Sequence, residues 1–436
     1  MAQDCFAPGV KLQPYWWDEA PRPDLAEAKL PSRVDVAIVG AGYTGLAAGM
    51  VLARAGRSVL ICDAEAAGWG ASSRNQGHIG IMKRPFAEME RTLGRKLAVA
   101  LMREGQDAVD YTKDFIQREN IRCYLKTNGR FIAAANKGHY EALGREVEIL
   151  KREIGFEADM IPRAEQHKEI GSDLYFGGEV RHKEASLHGG LFHQGLLDRA
   201  QASGVQIAAH TPVTGIGKES GGFEITTPRG KVSARDVLVA TNGYTRSTRA
   251  LPWFRRRIIP IGAYGFATEP MAREQLASLI PNDRAIIDTW KLSHSLRPAP
   301  DNSRLIGGGR VSMTQTDVTV TGPRLHKFMV QVFPQLKGVR FTHTWTGFVA
   351  YTFQTAPHLG VYEGLHYCMG FCGYGVALAP YLGWKVAQKI MGGANSRSPF
   401  EELPFETRPF YDGNPWFLPA TVAWYAHQDR KAVRAG

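Results

Sequence analysis

The chain has 436 residues, of which 44% are hydrophobic and 22% are charged, so it can bury a large core and is neither a disordered nor a fibrous chain. Basic residues outnumber acidic ones by 53 to 42, a formal net charge of +11, and the only tight basic cluster is Arg255-Arg256-Arg257. The scattered charge predicts a solvated surface rather than a nucleic-acid-binding stripe.

The cysteines and the apolar runs favour a cytoplasmic protein. Five cysteines, an odd number, show no metal-ligand spacing, which suits a reducing compartment and predicts no metal site. The stretch from Met1 to Pro8 lacks the basic and apolar regions of a secretory signal. No uncharged apolar run approaches the roughly 18 residues of a membrane span, so we expect no transmembrane segment.

The segment 34–63 has the order of a dinucleotide-binding unit. A buried strand over 34–39 leads into a glycine turn, a helix over 46–55 ends at Gly56, and a second strand covers 58–62. The three glycines permit a tight turn, a close approach to a pyrophosphate and close helix packing, while the helix N-terminus faces the phosphates. Asp63, which follows the second strand, can accept hydrogen bonds from both ribose hydroxyls. A glycine-rich turn in an ordinary α/β domain is the alternative reading of Gly40, Ala41, Gly42, Tyr43, Thr44, Gly45 and Asp63.

Downstream, helical and strand patterns alternate. Helical periodicity over 86–120 predicts one long helix or two in series, and Asn128-Gly129 between strand-like runs predicts a hairpin that begins an antiparallel sheet. Further helices are expected at 139–154 and 187–202, and a second hairpin at Gly221-Gly222. Strands are expected at 205–209, 236–240, 257–268, 285–297 and 304–311, followed by a strand, a glycine turn and a helix over 365–392.

Six stretches spread over positions 15 to 380 carry a family resemblance. They are Tyr15-Trp16-Trp17, the loop from Gly70 to Gly77, and the segments 237–243, 305–309, 345–360 and 370–380. On these residues the chain resembles the FAD-dependent oxidoreductases of the D-amino-acid oxidase superfamily, which includes glycine oxidase and sarcosine oxidase. Within it, the chain is most similar to the γ-glutamylputrescine oxidoreductase branch.

The resemblance implies an α/β protein with an α+β second domain. A Rossmann-like FAD-binding domain with a central parallel sheet would be interleaved in sequence with an antiparallel-sheet substrate domain. The expected boundaries are an N-terminal arm at 1–33, an FAD-binding domain at 34–122, 186–255 and 340–395, a substrate domain at 123–185 and 256–339, and a C-terminal tail at 396–436.

The resemblance also implies where FAD binds. The loop from Gly70 to Gly77 would carry it past its pyrophosphate, because hydroxyls, an amide and a guanidinium suit phosphate and ring-edge acceptors. Backbone at Val213 would meet adenine, the turn 241–243 would close over the ribityl and ADP region, and the helix start at 373–376 would stabilise the anionic reduced ring. The implied FAD-binding residues are Gly40, Gly42, Tyr43, Thr44, Gly45, Asp63, Ala64, Gly70, Ala71, Ser72, Ser73, Arg74, Asn75, Gly77, His78, Val213, Thr241, Gly243, Gly373, Tyr374, Gly375 and Val376.

Two departures from the family bear on the cofactor. Relatives often have lysine where Val376 stands, so charge stabilisation would depend more on backbone N–H groups or on another cation. No cysteine stands at the position by which sarcosine oxidases tether flavin, and Cys372 lies where the branch usually has a small polar residue. The FAD is therefore expected to be non-covalent.

The reaction implied by the resemblance requires few protein groups. A C–H next to nitrogen passes as hydride to flavin N5 and leaves an imine that water hydrolyses, without a strict need for a general base. Each candidate also has an ordinary alternative, as a core tyrosine, a surface arginine, a solvated lysine or a structural histidine. The candidates are Tyr264 and Tyr351 on the substrate side, Arg297 as a bidentate carboxylate partner, Lys291 as a cation near the reduced flavin and His78 beside the ring.

The expected function is an FAD-dependent amine or amino-acid oxidoreductase that passes electrons to oxygen and gives hydrogen peroxide. The substrate would be a γ-glutamylated polyamine or a cyclic or N-substituted amino acid such as pipecolate. Quinone is the alternative acceptor. Two rivals remain, a nicotinamide-dependent dehydrogenase and a non-catalytic flavin-binding subunit. The aromatic tail from Tyr411 to Tyr425 is expected to cover the flavin domain, with a peripheral membrane contact as the alternative.

Overall fold

The computed structural model describes residues 5–27, 29–82, 84–248 and 250–434. Its helices are α1 Tyr43–Arg54, α2 Phe86–Leu93, α3 Arg95–Arg118, α4 Lys137–Ile154, α5 Gly189–Ala202, α6 Pro252–Arg255, α7 Arg273–Leu279, α8 Val318–Val332, α9 Gly375–Ile390 and α10 Leu418–Arg434. Its strands are β1 Phe6–Lys11, β2 Arg33–Val39, β3 Val59–Cys62, β4 His78–Ile79, β5 Arg130–Ala133, β6 Ala158–Ile161, β7 Gly178–Arg181, β8 Ala185–Ser186, β9 Gln206–Ala208, β10 Gly215–Glu219, β11 Gly222–Thr227, β12 Gly230–Val239, β13 Ile259–Thr268, β14 Ala285–Asp288, β15 His294–Pro298, β16 Leu305–Gly309, β17 Phe341–Tyr351, β18 His358–Tyr362 and β19 Leu365–Met369.

An eight-stranded sheet contains the predicted dinucleotide-binding unit. Strands β19, β12, β2, β3 and β9 are parallel neighbours in that order, and β10, β11 and β18 add antiparallel pairs. Residues 36–39 of β2, 237–239 of β12 and all of β3 are apolar because both faces of the sheet are covered there. Val36 and Ile38 share a core with helices α1, α5 and α9, while Ala37 and Val39 belong to a second core with Phe223 of β11. The α/β fold class predicted from the sequence is confirmed.

A nine-stranded sheet forms the second layer, in the order β1-β17-β13-β16-β15-β14-β5-β7-β6. Its pairs are antiparallel except β1 with β17 and β14 with β5. Strand β17 pairs with β13 from Ile259↔Tyr351 to Thr268↔Phe341. This differs from the sequence expectation, which assigned 340–395 to the FAD-binding domain and left 1–33 as a separate arm. The long ladder holds β17 in the nine-stranded sheet, and β1 extends the edge of that sheet.

The hairpin predicted at Asn128-Gly129 is wrong. The residues before it form only an isolated bridge between Lys126 and Ser186, while β5 after it pairs with β7 and β14. The Asn128 side chain explains the difference, because its amide donates to the carbonyls of residues 282 and 283 and ties the turn to a distant loop. The hairpin at 221–222 forms as predicted, and a turn at Gly94 with φ +83° divides 86–120 into α2 and α3.

The part of the tail from Tyr411 to Tyr425 packs on the nine-stranded sheet rather than over the flavin domain as expected, whereas Phe400 and Leu403 earlier in the tail belong to the core shared with α1 and α9. Tyr411 and Leu418 share an apolar cluster with Ile259 and Ile261 of β13, and the Tyr411 hydroxyl donates to the Ile258 carbonyl at 2.6 Å. Aromatic side chains of the tail therefore pack against the ends of β13 and β17, beside Ile261 and Tyr351. Over the described parts of the chain, no helix combines the length and apolar character needed to cross a membrane.

Candidate active site

The glycine turn lies at the carboxyl edge of the eight-stranded sheet. Gly40 has φ +113°, and a Cβ there would lie 2.9 Å from the Ala240 carbonyl oxygen. A Cβ at Gly45 would lie 2.0 Å from the Gly40 carbonyl oxygen. Helix α1 begins at Tyr43, directly after Gly42, so its N-terminal N–H groups face this edge. Backbone packing within the chain therefore requires glycine at 40 and 45, and leaves a helix N-terminus suited to phosphate.

Asp63 is prepared as an acceptor at the same edge. Its carboxylate accepts the N–H of Ala41 at 2.7 Å and that of Glu65 at 3.0 Å. Burial raises the pKa of Asp63, and these two backbone N–H groups oppose that rise. The carboxylate is thus fixed beside the glycine turn, as recognition of a ribose requires.

The 70–77 loop begins after β3 and faces the start of α1. The Ser72 hydroxyl oxygen accepts the N–H of Tyr43 at 3.0 Å. Asn75 uses its amide within the loop, donating to the carbonyls of Ala71 and Ser72 and accepting the N–H of Gly77 at 2.8 Å. The sequence expectation placed the Asn75 amide on the cofactor. The structure uses it to shape the loop, and because Asn75 also lines the cavity described below, its contact with the cofactor stays a prediction.

Arg74 also makes bonds within the protein, and it too lines the cavity described below. Its Nε donates to the Trp69 carbonyl at 2.7 Å and its Nη1 to the Thr346 carbonyl at 3.0 Å. The guanidinium also lies between the rings of Trp17 and Trp69, with its central carbon 4.7 and 4.4 Å from their centroids. Arg74 therefore joins the loop to β17, and its expected contact with a phosphate or a ring-edge acceptor of the cofactor stays a prediction.

The remaining expected cofactor residues lie around the same edge. Val213 is buried behind β9, and its carbonyl accepts the Thr248 hydroxyl at 3.0 Å. In the turn after β12, the Thr241 and Thr245 hydroxyls are hydrogen-bonded at 2.6 Å, and a Cβ at Gly243 would lie 3.2 Å from Phe348. Turns after four parallel strands thus converge here, as expected at the carboxyl ends of a parallel sheet.

A cavity of about 240 Å³ lies between the 70–77 loop, the nine-stranded sheet and the start of α9. Gly373, with φ +98°, makes the turn that directs the α9 N-terminus into it, and Val376 of the first turn lines it. The side chains that shape its chemistry are Gln76, His78, Arg130, Tyr264, His294, Arg310, Trp345, Tyr351 and Tyr374.

Arg310 is the cationic residue best placed to bind an anion in this cavity. Its Nη2 donates to the Tyr351 hydroxyl, and its guanidinium carbon lies 5.1 Å from the Tyr351 ring centroid. Burial lowers the pKa of Arg310, but the nearby phenols outweigh that effect and raise it overall. No carboxylate in the described ranges forms an ion pair with it. By contrast, Arg130 pairs with buried Glu184, and His294 pairs with Asp288 at 3.1 Å.

Tyr264, Tyr351 and His78 line the cavity as expected, but two other predicted catalytic residues do not. Arg297 is buried behind the 70–77 loop and donates Nη1 to the carbonyls of Gln76 at 3.1 Å and Leu187 at 2.9 Å. Lys291 is exposed, and its backbone N–H donates to Asp429. Arg297, the expected partner of a substrate carboxylate, and Lys291, the expected cation near the reduced flavin, therefore lie outside the cavity.

The phenol of Tyr264 is already engaged although its side chain lines the cavity. Its hydroxyl donates to the Thr314 carbonyl and accepts the N–H of Thr316 at 2.9 Å.

Sequence reasoning missed Arg310, although it directly follows the glycines 307–309 that helped carry the resemblance. Those glycines leave room for Gln76, whose Nε2 lies 2.6 Å from a Cβ built at Gly308. A cation at the end of a glycine-rich strand was the available signal.

A family model described as FAD dependent oxidoreductase, DAO, matches residues 35–389, which is most of the chain. The chain belongs to the DAO family of FAD dependent oxidoreductases. This assignment makes it an FAD-dependent enzyme of the amine and amino-acid oxidase group, and contradicts the nicotinamide-dependent rival.

Similar proteins support the DAO assignment over nearly the whole length. Gamma-glutamylputrescine oxidoreductase of Escherichia coli (strain K12) is 29% identical over 407 residues, covering 92% of this chain and 93% of that protein. L-proline dehydrogenase from P. horikoshii has a TM-score of 0.70 at 20% identity, covering 85% of this chain and 98% of that one. Glycine oxidase from Geobacillus kaustophilus has a TM-score of 0.68 at 20% identity, covering 87% and 99%. The two solved structures show a shared fold.

Proposed function

We propose that FAD binds without a covalent bond along the carboxyl edge of the eight-stranded sheet. The start of α1 would hold the pyrophosphate, Asp63 the ribose, and the 70–77 loop the ring-proximal part. The glycines at 40 and 45 and the fixed Asp63 carboxylate fit this cofactor. Burial raises the pKa of the Cys372 thiol to about 12, and its Sγ lies 3.1 Å from the Gly370 carbonyl. A protonated thiol is a poor nucleophile, which supports the non-covalent mode.

The ring of the cofactor would lie in the cavity, against the start of α9. Gly373, Tyr374 and Val376 line it there, and Val376 brings no charge. The backbone N–H groups at the α9 N-terminus would therefore stabilise negative charge on the reduced ring. His78 lines the same cavity at the start of β4, directly after the 70–77 loop, and would flank the ring.

The proposed reaction is oxidation of an amine at the carbon bonded to its nitrogen. Arg310 and Tyr351 help to position the substrate. When bound, the flavin supplies the acceptor for the hydride, and the resulting imine is hydrolysed by water. Arg310 would pair with a substrate carboxylate, and the Tyr351 hydroxyl, which accepts from Arg310, keeps its own proton to donate. Burial raises the pKa of Tyr351, so the phenol remains protonated at neutral pH.

The observation that carries this proposal is the Arg310–Tyr351 pair inside a cavity that also contains the α9 N-terminus. A cation with phenol partners and no carboxylate partner among the described residues favours an anionic substrate. Apolar surface from Ile261, Phe348 and Val349 suits an alkyl chain or ring. The proposed substrate is therefore a secondary amino acid or a γ-glutamylputrescine-like amine, with oxygen as acceptor and hydrogen peroxide as product.

Anaerobic reduction of the purified holoenzyme tests the proposal. We expect bleaching near about 450 nm, a general property of flavins, with one or more of sarcosine, pipecolate, proline, iminodiacetate, glutamylputrescine and D-alanine. Admission of oxygen should then restore the absorbance and release one peroxide per substrate. A yellow protein that none of these amines bleaches would instead support a non-catalytic flavin-binding subunit.

Transfer to a membrane quinone is a second candidate, favoured by the surface of the tail. Phe410, Trp416 and Trp424 are 94%, 66% and 58% exposed. The basic cluster lies beside them, since the Arg256 Nε donates to the Tyr411 carbonyl at 3.2 Å. Exposed aromatic and basic groups together suit an anionic bilayer surface. Faster reoxidation by a soluble quinone than by oxygen, with sedimentation on anionic vesicles, would favour this acceptor.

A further inference from the structure

We propose that residues 15–22, here called the arm segment, are positioning residues that fix the two FAD-binding loops from the side of the nine-stranded sheet. The inference rests on the proposed location of FAD. It assigns a role to Tyr15-Trp16-Trp17, which the resemblance singled out without a function, and to Arg22. These side chains act through the 70–77 loop and the glycine turn.

Two indoles of the arm segment hold the 70–77 loop. The Trp16 Nε1 donates to the Asn75 carbonyl at 2.7 Å, and the Trp17 Nε1 donates to the Ser73 hydroxyl oxygen at 2.8 Å. Ser73 in turn fixes the chain just before the loop, because its hydroxyl donates to the Gly68 carbonyl at 2.6 Å. An indole N–H can only donate, so each bond fixes the direction of its acceptor.

The Trp17 ring contributes a second restraint on the same loop. With Trp69 it encloses the Arg74 guanidinium, the centroids lying 4.7 and 4.4 Å from its central carbon. In addition, Trp345 of β17 donates its Nε1 to the Arg74 carbonyl at 2.9 Å. The loop is thus held between the arm segment and the substrate-side sheet, and its conformation depends on both.

Arg22 reaches the glycine turn through His193 of α5. Arginine always donates, so the 3.1 Å contact from Arg22 Nη1 makes His193 Nδ1 an acceptor. The ring proton therefore lies on Nε2, which donates to the Ala41 carbonyl at 2.8 Å. Burial lowers the pKa of His193 to about 3, so this neutral tautomer persists at physiological pH. Ala41 lies between Gly40 and Gly42, where the pyrophosphate is proposed to bind.

The arm segment is itself anchored on the nine-stranded sheet. Strand β1 just before it pairs with β17, and the Asp18 carboxylate lies 3.1 Å from the His343 Nε2 on that strand. Trp16 is fully buried in one cluster with Ala267 and Trp345. The arm segment therefore connects both cofactor loops to the nine-stranded sheet, which carries the substrate residues. This connection fixes the distance between the proposed cofactor site and Arg310.

The test compares FAD dissociation constants of apo-protein variants, measured by flavin fluorescence, with the thermal midpoints of the same apo-proteins. Arg22→Met and Trp17→Leu should each weaken FAD binding by about tenfold or more, the scale of a lost charged or buried hydrogen bond. Trp17→Phe keeps a ring over Arg74 but loses the indole donor, so it should fall between wild type and Trp17→Leu. The visible circular dichroism of bound FAD should change in the same order.

Lys11→Met is the matched control, since it breaks only the partly exposed Lys11–Asp18 pair and should leave FAD affinity within about twofold. Variants whose apo-protein midpoint falls while FAD affinity and dichroism stay unchanged would overturn the inference, and so would equal affinities for Trp17→Phe and Trp17→Leu at the wild-type value. If Trp17→Leu does not fold, Arg22→Met and Trp17→Phe decide. A wild-type protein that binds no FAD would refute the proposed cofactor site itself.

Discussion

The glycine turn at 40–45 and the cavity around Arg310 differ in how their parts are encoded. The steric restraints that require glycine at 40 and 45 arise within β2 and α1 or from a neighbouring strand end, such as the contact of Gly40 with Ala240. The cavity brings together long side chains from β13, β15, β17, the 70–77 loop and Arg310, which directly follows β16. Backbone requirements can be read locally, whereas the direction of a long side chain depends on partners far away in sequence.

Gly45→Ala should have the largest effect. A Cβ there would lie 2.0 Å from the Gly40 carbonyl oxygen, which no rotation of a side chain can relieve, so helix α1 must move away from the turn. We expect loss of more than about 4 kcal/mol of stability or complete loss of bound flavin. Soluble yield and the flavin-to-protein absorbance ratio measure this.

Gly105→Ala in α3 is the matched control for a helical glycine. Its Cβ would lie 3.9 Å from Ile81, an ordinary contact, so the change should be neutral or stabilise by up to about 1 kcal/mol. If both variants retain full flavin content and the wild-type melting temperature, the turn does not require close backbone packing. The inference that the local sequence requires glycine at position 45 would then be wrong.

Arg297→Met tests the residue that sequence reasoning assigned to the substrate. The change removes donors from the buried carbonyls of Gln76 and Leu187, which should cost about 2–4 kcal/mol of unfolding free energy. Denaturant unfolding measures the loss. The KM of the remaining folded holoenzyme should stay near the wild-type value, and a large KM increase without loss of stability would restore the original assignment.

Arg310→Met should change the KM for substrate rather than stability. Loss of a charge-assisted pair with a carboxylate costs about 1.5–3 kcal/mol, which raises the KM of a carboxylate-bearing substrate by roughly 10- to 150-fold. Arg310→Lys should recover part of this. Steady-state kinetics with an amino acid and with the corresponding amine lacking the carboxylate provide the comparison. Equal losses for both would show that Arg310 does not bind the carboxylate.

The sequence predicted the backbone of the glycine turn in detail and the residues of the cavity only in outline. Gly40, Gly45 and Asp63 follow from a strand–turn–helix pattern whose spacing is fixed by backbone geometry. Arg297 and Arg310 could not be ranked, because only the three-dimensional structure shows that Arg297 binds backbone carbonyls. Asn128-Gly129 failed for a similar reason, since a side chain contact with residues 282–283 outweighed a local turn preference.

Acidification should destabilise the fold at two buried histidines by the same mechanism. Burial lowers the pKa of His193 beside the glycine turn, and that of His358 at the start of β18, to about 3. Above about pH 6.5 both the folded and unfolded states are neutral. Below it the unfolded state binds a proton that the folded state refuses until about pH 3, so stability falls as pH falls, by up to about 2 kcal/mol per histidine at pH 5.

His358→Phe isolates one of these contributions. The imidazole stacks on Phe405 with centroids 4.4 Å apart, so a phenyl ring should keep the packing and lose the proton. The difference in unfolding free energy between pH 7 and pH 5, from denaturant titrations, should shrink by up to about 2 kcal/mol relative to wild type. An unchanged difference would show that His358 is already protonated in the folded state at pH 5.

Lys291→Met should have the smallest effect and completes the contrast between cavity and surface. Lys291 is exposed and follows β14, while its backbone N–H, which the substitution keeps, makes the contact with Asp429. We expect a stability change within about 0.5 kcal/mol and a rate constant for flavin reoxidation by oxygen within about twofold of wild type, measured by stopped-flow absorbance. Rapid mixing of reduced enzyme with oxygen separates this step from amine oxidation. A tenfold slower reoxidation with unchanged reduction would mean that the Lys291 ammonium acts on the reduced ring in spite of its place on the surface, and that the sequence-based assignment was right.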